Sequence, residues 1–146
     1  MEDWRSNLIE DRAGALTLLR EARRVAVIGI KPESKADVPA HFVPAYLQRV
    51  GYEIIPVPCY YPEVSEILGQ AVYRGLESVP GEVDLVVIFR RPGDVLRHKA
   101  EILAKQPRGV WLQSGIRNDE AAEQWARAGI RVVQDRCTMV EHRYLR

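Results

Sequence analysis

The sequence is poor in the features that mark several specialised classes of protein. Its 146 residues contain two cysteines, Cys59 and Cys137, which are too few for a disulfide-stapled scaffold, so we expect free thiols in a reducing compartment. No segment approaches the roughly 18 consecutive apolar residues of a membrane-spanning helix. The first 19 residues are charged throughout and hold no apolar run of signal-peptide length. These absences predict a cytoplasmic protein without a membrane partner.

The sequence also lacks an excess of charge of one sign. The 21 Lys and Arg nearly balance the 20 Asp and Glu, and the formal net charge is +1. A domain that binds nucleic acid usually carries a strong basic excess, so we expect no nucleic-acid partner. The chain length and the 47% content of hydrophobic residues are typical of one globular domain. We therefore predict a single domain over residues 1–146, on which an N-terminal helix within residues 1–23 packs.

Five short apolar segments are typical of strands that are buried on both faces. They lie at residues 25–30, 53–58, 84–89, 109–112 and 131–133. Segments of helical periodicity alternate with them, at residues 5–22, 42–50, 94–103, 118–128 and 137–146, and residues 59–81 are predicted to form an irregular crossover. This alternation predicts an α/β fold with three αβα layers, namely a Rossmann-like, doubly wound, parallel five-stranded sheet of order 3-2-1-4-5. Ligands of such sheets bind at the carboxyl ends of the strands, here near the switch between the first and fourth strands.

The end of the first predicted strand carries groups that suit a phosphate. Gly29 and Ile30 are followed by Lys31, and Ser34 and Lys35 lie nearby. A glycine lets an anion approach the backbone, and the following helix can direct its N-terminus at it. The same glycine could serve only a tight exit from the strand, and the segment lacks the GxGxxG pattern.

The end of the second predicted strand is apolar. Val57 and Pro58 could pack against an adenine or could simply end the strand. An NAD-binding domain places an acidic residue at this point to bind the ribose. Glu53 lies at the opposite end of the strand, so the sequence favours other nucleotides over NAD.

The third and fourth predicted strands end in polar groups. Phe89, Arg90 and Arg91 follow the third strand, and guanidinium groups pair well with phosphates, although surface arginines are often only solvated. Gln113, Ser114 and Gly115 form a polar turn after the fourth strand, where the turn itself needs only the glycine. Because these strand ends share one edge of the sheet, we expect a common binding site. Its predicted residues are Gly29, Ile30, Lys31, Ser34, Lys35, Val57, Pro58, Phe89, Arg90, Arg91, Gln113, Ser114 and Gly115.

No catalytic residue and no metal ligand is predicted. The spacing of the candidate ligands matches no metal site. None of the three histidines has an obvious acidic or cysteine partner in the sequence: His41, His98 and His142. Arg136 could favour the thiolate form of Cys137, but a cysteine after the last strand is more often a small buried apolar residue. Cys59 is predicted to be inert.

The motifs, taken in order, resemble those of the stand-alone CoA-binding domain proteins of bacteria and archaea. These proteins are relatives of the CoA-binding domain of the succinyl-CoA synthetase alpha subunit. The matching segments are residues 27–30, 43–47, 51–52, 55–57, 67–69, 75–76, 79–80, 83–90, 111–116 and 135–137, with Glu141. Two positions depart from the family pattern. Lys31 stands where the family often has Ser, and Pro58 and Cys59 stand where it often has Asn and Pro.

The resemblance implies that the four strand ends bind coenzyme A or an acyl-CoA. Gly29, Lys31 and Ser34 would then contact phosphates, and Val57 and Pro58 would lie beside the adenosine. Arg90 and Arg91 would border the pantetheine arm or a phosphate, while Gln113, Ser114 and Gly115 would line the far side. Because the chain lacks room for the second domain and the partner subunit of the synthetase, the resemblance implies binding or an accessory role rather than ligation.

Three other functions remain open at this point. One is a regulator that binds NAD(H) or another nucleotide, and another is a thiol-dependent CoA enzyme that uses Cys137. The third is a scaffold that has lost its ligand and keeps a surface for a protein partner, whose identity the sequence leaves unspecified.

Overall fold

A parallel six-stranded sheet forms the centre of the computed structural model, which describes residues 3–145. The strands are β1 (Leu8–Ile9), β2 (Arg24–Ile28), β3 (Glu53–Val57), β6 (Leu85–Ile88), β7 (Gly109–Leu112) and β8 (Arg131–Val133), in the order β1-β8-β7-β6-β2-β3. A separate antiparallel hairpin of β4 (Glu66–Ile67) and β5 (Gln70–Ala71) lies in the crossover after β3. The predicted fold class, a three-layer Rossmann-like α/β fold, is confirmed.

Helices cover both faces of this sheet. They are α1 (Arg12–Glu21), α2 (Pro39–Arg49), α3 (Lys99–Lys105), α4 (Asp119–Arg127) and α5 (Thr138–His142). Alternate residues of β2 enter opposite cores, because successive side chains of a strand point to opposite faces. Ala26 packs in the core that includes Trp125 of α4, and Val27 packs in the core that includes Leu18 of α1. Among residues 3–145, no helix combines the length and the apolar character needed to cross a membrane.

The order of the strands differs from the predicted 3-2-1-4-5. Numbered as predicted, the five strands are arranged 2-1-3-4-5, because β6 pairs directly with β2 and β3 forms the edge. Alternation of strands and helices fixes the parallel direction, but it does not fix the side on which a later strand joins. The switch point therefore lies between β2 and β6, not between the first and fourth predicted strands.

The N-terminal segment is not one helix over residues 5–22. A 3₁₀ turn at Trp4–Asn7 leads into β1, whose two residues pair with β8 and add the sixth strand. The side chain of Asp11 accepts a hydrogen bond from the Gly14 N–H at 2.9 Å, so it caps α1 and starts the helix at Arg12. Residues 1, 2 and 146 lie outside the described residues, and the last of them belongs to the predicted C-terminal helix over 137–146.

Helix α2 begins three residues earlier than predicted, at Pro39. Proline suits the first helical turn, where its missing N–H would have no partner within the helix. Pro44 lies inside the helix and leaves the carbonyl of Ala40 without its usual donor. The backbone N–H of Lys31 donates to that carbonyl at 3.1 Å. The carbonyl that Pro44 leaves free within the helix therefore binds the segment that follows β2.

The two segments after β3 and β6 are less helical than the remainder of the chain. Residues 59–81 form the predicted irregular crossover, which holds the β4–β5 hairpin and one 3₁₀ turn at Leu76–Ser78. The predicted helix from Asp94 begins as a 3₁₀ segment at Pro92–His98 and becomes α-helical only at Lys99. This geometry brings His98 to the junction of the two helical segments.

Candidate functional site

A cavity of about 670 Å³ opens at the carboxyl edge of the sheet, around the ends of β2, β6 and β7. Its volume falls in the range of roughly 300–1,000 Å³ that is usual for sites of small molecules and cofactors. The wall includes eight of the predicted residues: Gly29, Ile30, Lys31, Phe89, Arg90, Arg91, Gln113 and Ser114. The structure thus brings three of the four predicted strand ends together.

The other five predicted residues lie outside the wall of this cavity. Val57 and Pro58 line a second cavity of about 430 Å³ on the other side of the β3 exit. Ser34 and Lys35 are exposed on a 3₁₀ turn at Glu33–Lys35. The backbone N–H of Gly115 donates to the Asp135 carboxylate at 2.7 Å, which ties this turn to the segment after β8.

The sequence interpretation missed much of the apolar wall. Residues that line the 670 Å³ cavity without having been predicted are Val38, Pro39, Ala40, Phe42, Val43, Cys59, Tyr60, Tyr61, Asp94, Ile116, Cys137 and Met139. The first residues of α2 belong to this set, so the positive end of the helix dipole lies at the cavity. An aromatic pair directly after a strand, Tyr60 and Tyr61, was the signal available in the sequence.

Gly29 is required by the packing of the backbone. Its φ of +83° is in the left-handed region, and a Cβ there would lie 2.0 Å from the carbonyl oxygen of Phe89. Its N–H donates to the carbonyl of Val57 at 2.9 Å, so the exits of β2, β3 and β6 meet at this residue. The interpretation of Gly29 as a residue needed for a tight strand exit therefore has a direct structural basis.

The backbone of Lys31 is fixed from both sides. Its N–H donates to Ala40, and its carbonyl accepts the Nδ1–H of His41 at 2.8 Å. His41 is only 6% exposed, so its ring is held firmly enough to position the segment. Among the described residues, no acceptor pairs with the Lys31 ammonium, which is therefore available to an anion.

Arg90 lines the cavity and carries an unused donor. Its Nε is buried and has no hydrogen-bond partner in the described part of the chain, while Nη1 lies 3.4 Å from the Tyr60 hydroxyl. A buried donor without an acceptor is destabilising, and an anion would satisfy it. The neighbouring Arg91 is exposed and also lines the cavity. Both guanidinium groups can therefore contribute to binding a phosphate.

The second cavity holds an unexpected cluster of Cys59, His98 and Glu101. Nδ1 of His98 lies 2.7 Å from Oε1 of Glu101, one helical turn further along. The prediction that no histidine has an acidic or cysteine partner is wrong here, since the i, i+3 spacing already indicated this pair. Burial alone would lower the pKa of His98, but its contacts with Cys59 and Glu101 outweigh burial and raise it to about 9.

This raised pKa predicts that stability depends on pH. An unfolded histidine titrates near pH 6.5, below the folded value of about 9, so the folded state binds the proton more tightly. The contribution of His98 is fully present below pH 6.5 and is lost as the pH rises to about 9. We expect it to be about 1–2 kcal/mol after screening by solvent. Urea unfolding at pH 6.5 and pH 9 measures how much free energy of unfolding is lost between the two pH values. We expect a smaller loss for His98→Gln than for the wild type, and equal losses would contradict this assignment.

Both cysteines are free thiols, as predicted. Cys59 lines both cavities and Cys137 lines the larger one. Within residues 3–145, no group of three or more His, Cys, Asp or Glu side chains has the geometry to hold a metal ion.

The fold and this site together define a Rossmann-like α/β protein with a ligand-sized, cationic cavity at its topological switch point. The chain belongs to the CoA binding domain family, whose model matches residues 23–143. This match confirms the family that the sequence motifs resemble. The family takes its description from the binding of CoA.

The chain is also similar over most of its length to three other proteins. The uncharacterized protein YneT of Bacillus subtilis (strain 168) is 33% identical over 125 residues, which are 86% of this chain and 89% of YneT. The structure of cell-free ID.343 from Thermus thermophilus has a TM-score of 0.82 at 38% identity and covers 92% of this chain and 98% of its own. A hypothetical protein from Pyrococcus horikoshii OT3 also has a TM-score of 0.82, at 28% identity over 93% of this chain and 92% of its own.

Proposed function

We propose that this protein binds coenzyme A or an acyl-CoA in the 670 Å³ cavity. The observation that carries the proposal is the buried, unpartnered Nε of Arg90 at the edge of a cavity that Lys31 and Arg91 also line. A ligand with several phosphates would neutralise these cations and satisfy the buried donor. Membership in the CoA binding domain family supports CoA as the source of those phosphates.

The remainder of the cavity suits the uncharged parts of CoA. The wall is predominantly apolar on the side of α2, where Val38, Phe42 and Val43 lie, and Met139 adds apolar surface near α5. Such surface can hold an adenine ring or an aliphatic arm. The Oε1 of Gln113 accepts the backbone N–H of Thr138 at 3.1 Å, so its amide nitrogen is the group left to orient a ligand. Cations and apolar surface in one cavity match a ligand with an anionic middle and less polar ends.

We infer that the protein acts as a carrier, sensor or accessory to another enzyme rather than as a ligase. The proposed ligand is a small nucleotide. A protein partner would recognise this chain with that ligand bound in the cavity. Neither a nucleic acid nor a membrane is part of the proposal. The proposed place of action is the cytoplasm, as the reducing compartment expected for two free thiols.

Calorimetry with CoA and acetyl-CoA tests the proposal, with NADH as a control nucleotide. A ligand at 100 times its dissociation constant stabilises the folded state by about 2.7 kcal/mol, which a thermal melt resolves as a shift of several degrees. We expect saturable binding of CoA and a weaker response to NADH. The absence of a shift at millimolar CoA would refute the proposal, and a shift with NADH alone would replace CoA by a dinucleotide.

The arginines provide a sharper prediction. Replacing both Arg90 and Arg91 with Ala should weaken CoA binding by about 1.5–3 kcal/mol for each charge-assisted hydrogen bond lost. The control is Arg131→Ala, because Arg131 forms an exposed ion pair with Glu21 at the opposite edge of the sheet. Thermal melts of each variant would separate lost binding from lost folding. Unchanged affinity in the double variant would remove the two arginines from the site.

A further inference from the structure

His98 holds its ring in an orientation that leaves one nitrogen unused. Nδ1 lies 2.7 Å from Oε1 of Glu101, and Oε2 of the same carboxylate accepts the backbone N–H of Leu76 at 3.2 Å. Nε2 is buried and has no hydrogen-bond partner among residues 3–145. The imidazole also interacts with the thiol of Cys59. Cys59 and His98 line the same 430 Å³ cavity, so a potential nucleophile shares that cavity with the unused nitrogen.

Cys59 lies where small molecules can approach it. Cys59 is only partly buried and belongs to the walls of both the 430 Å³ and the 670 Å³ cavities. Arg74 fixes the loop that carries it by donating to four backbone carbonyls, including Tyr60 at 3.1 Å and Val64 at 2.7 Å. The thiol thus stands in a defined place on a loop that the structure ties down.

We propose that Cys59 is a reactive thiol that exchanges with small anionic disulfides, and that His98 and Glu101 activate it. The thiolate of Cys59 attacks one sulfur of the disulfide R–S–S–R. A new bond between Cys59 and that sulfur forms, the original S–S bond breaks, and the leaving thiolate takes up the proton that Cys59 released. The external disulfide is the oxidant, so no other co-reactant is needed.

Each member of the cluster has a distinct part in this chemistry. His98 remains protonated at neutral pH because its pKa is about 9, and a cation beside a sulfur favours the nucleophilic thiolate. Glu101 is a positioning residue that fixes the ring through Nδ1. The unused Nε of Arg90 lies on the same cavity and favours disulfides that carry carboxylates or phosphates.

The inference goes beyond the proposed binding of CoA and does not rest on it. It concerns a residue at which this chain departs from the family pattern. Exchange at Cys59 requires only the thiol, its neighbours and an external disulfide. CoA binding can therefore fail its own test while this chemistry stands, and the reverse is equally possible.

The experiment uses the full chain, reduced and freed of reductant, with oxidised glutathione as the anionic disulfide. The rate of adduct formation is followed by intact-mass spectrometry between pH 6.5 and pH 8, and peptide mapping locates the adduct. The variants are Cys59→Ser, His98→Gln and Glu101→Gln, with His142→Gln as the matched control on α5. Cystamine serves as a cationic comparator, and both rates are divided by the rate of the same disulfide with N-acetylcysteine.

The groups whose titration can influence the profile are known from the cavity. Besides His98 they are Cys59, Tyr60, Arg74, Arg90, Arg97 and Glu101, and Glu77 lies behind Glu101. An ordinary thiol would lose about tenfold in rate for each pH unit below its own titration. We expect the wild-type rate to fall less steeply with decreasing pH than the rate of N-acetylcysteine with the same disulfide, because an imidazolium in the same cavity favours the nucleophilic form of the sulfur.

The expected results are an adduct on Cys59, none in Cys59→Ser, and a rate in His98→Gln about tenfold below the wild type at pH 6.5. Glu101→Gln should restore part of the pH slope, His142→Gln should match the wild type, and glutathione should exceed cystamine after normalisation. An adduct confined to Cys137, or a wild-type rate with the pH slope of an ordinary thiol, would overturn the proposal. The wild-type profile decides this even if a variant fails to fold.

Discussion

Replacing Gly29 with Ala should lower the free energy of unfolding by about 3 kcal/mol or more. Two effects add at this position. Alanine is strained at a φ of +83°, and its Cβ would lie 2.0 Å from the Phe89 carbonyl oxygen, which belongs to the backbone and cannot rotate away. Either the exit of β2 or that of β6 must shift, and both form the cavity wall. The variant should therefore also lose affinity for the proposed ligand, CoA.

The matched control is Gly129→Ala. Gly129 has a similar φ of +89°, but a Cβ there would meet no atom within 4 Å. It therefore reports the backbone strain alone, which we expect to cost about 1 kcal/mol. Urea unfolding of both variants measures the difference. Equal destabilisation would mean that the ends of β2 and β6 move apart at little cost, and would contradict the claim that the close approach of Gly29 to the Phe89 carbonyl is needed.

Replacing Trp111 with Ala should destabilise the protein by about 4 kcal/mol, because it empties the middle of β7. Trp111 is fully buried, and its Nε1–H donates to the carbonyl of Arg136 at 2.8 Å. That carbonyl immediately precedes Cys137, which lines the larger cavity. The side chain therefore supports both the core and the segment that closes the cavity behind β8.

Trp111→Phe separates these two roles. Phenylalanine keeps most of the apolar contact but leaves the Arg136 carbonyl without its donor, so we expect a loss of about 1–2 kcal/mol. Unfolding in urea gives both values, and the alkylation rate of Cys137 reports the position of its loop. If Trp111→Ala lost less than about 1 kcal/mol, the residue would not have the packing role that its burial indicates.

Local patterns in the sequence predict most of the elements of the fold. Apolar strands such as 84–89 can be predicted because both faces of a parallel sheet are buried, and an Asn cap marks the start of α4. The order of the strands could not be predicted, since β6 could have joined either side of β2 without changing its own sequence. That choice depends on how the irregular crossover runs after β3, and no local pattern records it.

The candidate site was predictable to the extent that it depends on strand ends. Residues that follow β2, β6 and β7 converge because parallel strands share a carboxyl edge. The contribution of α2 was hidden, because a proline inside a helical segment, here Pro44, favours a helix that begins close to it, near Phe42, rather than at Pro39. The neighbourhood of Cys59 was hidden for a different reason. It joins His98 only through the crossover, so the contact spans 39 positions of the chain.

The hydrogen bond between Lys31 and Ala40 has a consequence for engineering. It fastens both ends of the segment at residues 32–38 to the same place, and bonds such as Lys35 N–H to Pro32 O at 2.8 Å close it internally. Doubling the length of a flexible loop costs only about 0.6 kcal/mol in closure entropy. The segment is therefore a graft point. Foreign sequences inserted there, with Glu33 kept for its bond to the Leu68 N–H, would change the surface next to Val38 at the cavity wall, while the strand ends that form the rest of the wall stay in place.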